Sequence, residues 1–87
     1  MNATAAEQIA AALPDASTYT NHSGLLCGAA HNGSRKVTFR DEGNGTVQIV
    51  LAIDYGKDGS SWCGSKSYRT AAGALRYARG FLTSGLV

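Results

Sequence analysis

Lys36-Val37-Thr38-Phe39-Arg40 and, a few residues on, Val47-Gln48-Ile49-Val50-Leu51-Ala52-Ile53-Asp54-Tyr55 decide the fold of this chain. Val37 and Phe39 alternate with Lys36, Thr38 and Arg40. Val47, Ile49, Leu51, Ile53 and Tyr55 alternate with Gln48, Val50, Ala52 and Asp54. A period of two belongs to strands with one buried face. A tight two-residue turn at Asn44-Gly45 pairs Phe39 with Val50 and sets the two apolar rows on opposite faces. Pairing Phe39 with Ile49 instead unites the rows, and it requires a longer loop or a bulge near Glu42 to Thr46. Burying both rows together outweighs the ideal turn, so the second register is expected.

Upstream, Tyr19 to Ala30 reads in two parts. Asn21-His22-Ser23-Gly24 favours a turn, and Leu25-Leu26-Cys27-Gly28-Ala29-Ala30 fits a buried strand or a helical turn. The turn sequence His31-Asn32-Gly33-Ser34 that follows would close a hairpin, which favours the strand. Downstream, Gly56-Lys57-Asp58-Gly59-Ser60 is a further turn and delivers a short strand around Ser61 to Ser65. Trp62 on it serves as a core residue or as an exposed contact.

Helices close the pattern at both ends. Thr4-Ala5-Ala6-Glu7 has the form of a capping box, in which the threonine hydroxyl accepts a free N–H and the glutamate reaches back to the threonine amide. Ala5, Ala6, Ile9, Ala12 and Leu13 then share one face, and Pro14 ends the helix. Ser67 to Val87 reads as the second helix, with Ser67 as its cap, Gly85 as its stop and Leu86 folded back on Phe81. Ala71, Ala74, Leu75, Ala78, Phe81 and Leu82 cluster on one side. At about 100° per residue, Arg69, Arg76 and Arg79 fall within a sector of roughly 80° on the other. The expected fold is therefore α+β: an antiparallel three- to four-stranded meander flanked by an N-terminal and a C-terminal helix, both on one face.

The chain has 87 residues, 44% of them apolar, and a net charge of +2. That length is one domain, residues 1–87, with a small core. No stretch approaches the ~20 apolar residues that cross a bilayer, and Met1-Asn2-Ala3-Thr4 lacks the basic start of a secretory leader. A cytoplasmic protein is expected, with Cys27 and Cys63 as thiols; a disulfide stays open, since cysteines on neighbouring strands can meet. The charge is unevenly spread: Lys66 to Val87 holds four basic residues and no acidic one. A partner with a negative surface follows from that asymmetry.

The residues that carry this expectation are Lys66, Arg69, Arg76 and Arg79, because arginine's planar fork pairs with carboxylate or phosphate. Tyr68 and Tyr77 flank the sector and are expected to be exposed, as tyrosine and arginine are enriched at interface hot spots; Tyr55 is expected to be buried. Gly73 and Gly80 lie on the arginine side, where they would let another backbone approach. The competing explanation is a solvated face that keeps the domain soluble. His22, Cys27, His31 and Cys63 could make a Cys2His2 metal site, but their spacing is loose and no CxxC is present. Neither a nucleophile–histidine–acid signature nor a phosphate-cradling glycine loop occurs. No enzyme, cofactor or metal is therefore expected.

Gly64-Ser65-Lys66 leading into an alanine-rich helix resembles the end of a double-stranded-RNA-binding domain, a family that reads RNA shape partly through basic residues at the start of its last helix. Only Lys66 falls on the family's lysine cluster; Ser67 and Tyr68 follow it. In size, single-domain economy and absence of catalytic motifs the chain is also similar to small phage-borne inhibitors of the anti-CRISPR type. That resemblance implies steric blockade of a protein or nucleoprotein, such as a CRISPR-associated effector. The expectation is a non-enzymatic inhibitor docking through the last helix, with a nucleic-acid module using the same patch as the alternative. Self-association as a homodimer is a third expectation, favoured by exposed sheet edges.

Overall fold

The computed structural model describes residues 4–13 and 16–83. Helix α1 (Ala5–Ala12) is followed by five strands, β1 (Ser17–Thr20), β2 (Leu26–Asn32), β3 (Arg35–Asp41), β4 (Val47–Asp54) and β5 (Ser60–Tyr68), and then by helix α2 (Ala71–Thr83). The strands form one antiparallel sheet in the order β1-β2-β3-β4-β5. The meander and its two helices match the expected α+β class, with one strand more than expected. Ser17–Thr20 is that strand, too short and polar to show alternation. No described helix is long and apolar enough to cross a membrane.

The register of the central hairpin is the one that unites the apolar rows. Phe39 lies opposite Ile49 and Val37 opposite Leu51. The loop over residues 42–46 absorbs the offset, closed by the Glu42 amide donating to the Thr46 carbonyl at 3.0 Å. Burying side chains of this size is worth about 1.5–3 kcal/mol each, more than a preferred turn contributes.

Both helices cover the same face. Ala6, Ile9 and Leu13 from the first, and Ala71, Ala74, Ala78 and Leu82 from the second, meet Ala30, Val37, Phe39, Val47, Ile49 and Leu51 of the sheet in one core. Alanine stripes let the helix backbones come close to the sheet and to each other. Gly28 serves the same end: a methyl group there would strike the Phe39 ring and lie 2.7 Å from the Ser17 carbonyl oxygen. Phe39, its cross-strand partner, lays its ring over the bare backbone and is fully buried.

The capping box forms as expected, Thr4 Oγ1 accepting from the Glu7 amide and Glu7 Oε1 accepting from the Thr4 amide. The second helix begins later than expected. Ser67 belongs to β5, opposite Gln48, and the helix starts at Ala71 with Thr70 Oγ1 accepting from the Gly73 amide at 3.2 Å. Lys66, Ser67 and Tyr68 pair with Ile49, Gln48 and Val47, so the β4–β5 ladder captures residues that could otherwise open a helix. Pro14, Gly85 and Leu86, read as helix stops, lie outside the described residues.

Two bonds between residues distant in sequence close the far end of α2. Arg35 Nη1 donates to the Phe81 carbonyl at 2.8 Å, with its guanidinium 5.1 Å from the Phe81 ring centroid, and Asn32 Nδ2 donates to the Leu82 carbonyl. Carbonyls of a last helical turn have no intrahelical partner, and a cation there complements the helix dipole. The β2–β3 hairpin thus supplies the closure of a helix some 46 residues downstream.

Candidate functional site

Lys66, Tyr68, Arg69, Arg76, Tyr77 and Arg79 are spread over β5, the bend that follows it and α2; the structure brings Lys66, Tyr68 and Tyr77 into contact, while Arg79 turns toward α1. Their arrangement departs from a single helical sector. Arg69 lies in the bend between strand and helix, so only Arg76 and Arg79 are carried by α2. The delayed helix start is the cause. Lys66 stands on the strand, its ammonium 5.5 Å from the Tyr68 ring centroid, within the range of a cation–π contact.

Tyr68 and Tyr77 are half-buried, not exposed. Their rings meet at 5.6 Å with a 43° tilt, and both pack against the core. Each lies over a glycine: Tyr68 reaches 3.0 Å from where a Gly73 methyl would sit, and the Tyr77 hydroxyl reaches the same distance from the corresponding point on Gly64. Gly73 therefore admits a side chain of this protein, not a partner's backbone. Gly80 does face open space. The two tyrosines fasten α2 to β5 and so fix where the cations stand.

The four cations differ in freedom. Arg79 Nη2 donates to the Ala12 carbonyl at 3.4 Å, joining the C-terminal end of α1 to α2. Lys66, Arg69 and Arg76 are exposed, and among the described residues none has a carboxylate within 4.0 Å. The one approach of a basic side chain to a carboxylate within 4.0 Å among the described residues, His31 Nε2 to Asp54 Oδ2 at 3.8 Å, lies on another part of the sheet. Glu42 is held below the usual carboxylate range by hydrogen bonds from the Ser67 and Thr46 hydroxyls, with Arg40 nearby adding to the effect. That contact also ties the β3–β4 loop to β5, one residue from Lys66.

Other expected features fall apart in space. Cys27 is buried on β2 and Cys63 exposed on β5, with two strands between them, so no disulfide joins them. Among the described residues no three of the histidine, cysteine and acidic side chains gather as a metal site. Tyr55 is exposed, not buried, because β4 ends at Asp54 and the turn begins there. Trp62 is exposed as well, at 70%.

Sequence reasoning missed the roles of Arg35 and Asn32. Their signal was weak: both flank a turn, and only the sheet's height against α2 shows what they reach. Both helices lie on one side of the meander, as the alternation predicts, and the other face carries Lys36, Thr38 and Arg40. No family model matches the chain, and no curated protein or solved structure matches it.

Proposed function

We propose that this is a non-enzymatic binding protein that docks onto an acidic surface of a protein or nucleoprotein through Lys66, Arg69 and Arg76 and acts by occupying that surface. The observation that supports the reading is the set of three exposed cations without carboxylate neighbours, standing on elements fixed by the Tyr68–Tyr77 contact. Cations already placed by a packed scaffold lose little further freedom on binding. Their charge steers encounter as well as adding affinity. Steric occlusion is the mode of action, as in the small phage-borne inhibitors of the anti-CRISPR kind, with a CRISPR-associated effector as one partner of suitable charge.

The test uses wild-type protein and the Arg69→Glu/Arg76→Glu variant as baits in a lysate of the source cells. A partner retained by the first and lost by the second, with thermal melting unchanged, is the expected outcome. Identical captured sets reject the surface. Titration of duplex RNA and DNA at two salt concentrations separates the nucleic-acid alternative, which requires a steep salt dependence from counterion release.

A further inference from the structure

The helix-free face of the sheet carries a second arrangement, independent of the β5–α2 surface. Directly opposite residues of antiparallel strands share a face, so the register can be read across the sheet. One row runs Tyr19, Cys27, Arg40 from β1 to β3, and another runs Trp62, Ala52, Lys36 from β5 to β3. Each places an aromatic ring on an edge strand, a small residue beside it and a cation on the central strand. The two rows are related by an approximate two-fold about Thr38, which sits midway between Lys36 and Arg40. Tyr19 is 61% and Trp62 70% exposed, whereas Phe39 on the opposite face is fully buried.

We propose that this face binds single-stranded nucleic acid, with Tyr19 and Trp62 stacking on bases and Arg40 and Lys36 pairing with phosphates. Charge favours that occupant. Lys36 and Arg40 stand on the central strand, whereas the carboxylates lie at the margins: Asp54 at the end of β4, 3.8 Å from His31 Nε2, and Glu42 just past β3, which accepts from the Thr46 hydroxyl at 2.9 Å and has Arg40 nearby. Geometry favours it too. Four strand spacings of about 4.8 Å and four residues of about 3.4 Å put the two rings roughly 23 Å apart along the diagonal. Several nucleotides fit between two such platforms. A hollow of about 150 Å³ opens beside Tyr19, bordered by Arg40, Gln48 and Val50. Bases can reach exposed rings only when they are unpaired, and stacking of this kind tolerates any sequence because every base has a π-face. An acidic polypeptide would satisfy the cations and leave both rings without a use.

Trp62 is the sole tryptophan of the chain, so its emission reports occupancy directly. Titrating the intact protein with dT12 and rU12 should quench that emission saturably, and a 12-base-pair duplex should not. Two phosphate contacts predict a slope of about −1.4 for log K against log salt. Tyr19→Ala should weaken binding about tenfold or more, and so should Trp62→Ala when followed by anisotropy of labelled dT12, in line with the value of one stacked base. Lys36→Gln and Arg40→Gln should each flatten the salt slope by about 0.7. Because both rings are exposed, melting temperatures should stay at the wild-type value, and Trp62→Phe should retain most of the affinity. Arg69→Glu/Arg76→Glu should bind dT12 within about twofold of wild type, which separates this face from the docking surface on the other side. Unchanged emission with both oligonucleotides, equal quenching by poly-L-glutamate, or wild-type affinity in Tyr19→Ala would each overturn the proposal.

Discussion

Replacing Arg35 with methionine removes a guanidinium that performs two tasks at the end of α2 while keeping most of the apolar stem. The bond to the Phe81 carbonyl, at 2.8 Å and half-buried, is of the charged type, which contributes about 1.5–3 kcal/mol. The same charge at a helix C-terminus adds about 0.3–1 kcal/mol, and the contact with the Phe81 ring about 0.5–1 kcal/mol where exposed. These overlap, since one group makes them all, and partial solvation lowers each. A net loss of about 2 kcal/mol is the expectation. In a domain of this size that lowers the melting temperature by roughly 8–16 °C. Urea unfolding followed by circular dichroism reads it as a lower midpoint with an unchanged slope. Arg35→Lys keeps the charge and loses the planar fork, so it should recover about half. Arg40→Met, whose guanidinium makes a solvent-exposed bond to the Gln48 side chain and has Glu42 nearby, serves as the control and should cost less than about 0.5 kcal/mol. If Arg35→Met and Arg40→Met lose the same stability, the hairpin does not hold the helix end.

Three further outcomes follow from the packing. Gly28→Ala should destabilise by about 1–3 kcal/mol through overpacking against Phe39 and β1, measured by chemical unfolding; a neutral result would mean that Phe39 has an alternative rotamer. Thr70→Ala should cost about 1 kcal/mol through loss of the α2 cap, whereas Ser67→Ala should leave the α2 amide-exchange rates unchanged, because Ser67 lies in the strand. Glu42 has a folded-state pKa below its unfolded value, so its contribution is fully present above the unfolded pKa and is lost as pH falls through the folded one. Glu42→Gln should therefore flatten stability against pH below about pH 4.5, and an unaltered acid limb would remove that contribution.

The parts of the fold that could be read in advance are those in which one residue pattern excludes its rivals. Alternation over Val37–Phe39 and Val47–Ile53 left a single register able to bury both rows, and Thr4 with Glu7 left a single helix start. β1 was not legible, because Ser17 to Thr20 is exposed at every position and owes its pairing to β2. The start of α2 was misplaced because Ser67 satisfies a cap and a ladder equally well on local grounds. The ladder wins through Gln48, which lies nearly twenty residues away. The cations of the candidate site were legible as charges. That Arg79 is tethered to the Ala12 carbonyl while Lys66, Arg69 and Arg76 have no carboxylate neighbour among the described residues was not, since it depends on where α1 ends. The tyrosines were misjudged for a similar reason: Gly64 and Gly73 make room for them, and that is visible only once strand and helix are side by side.

The docking claim is tested most directly by photocrosslinking at two single positions. A benzoylphenylalanine placed at Ala72, exposed one helical turn before Arg76, should become covalently joined to an acidic partner in the lysate, and the same group at His22, in the β1–β2 turn, should not. Equal yields at the two positions, or a product only at His22, would contradict the assignment of the β5–α2 surface.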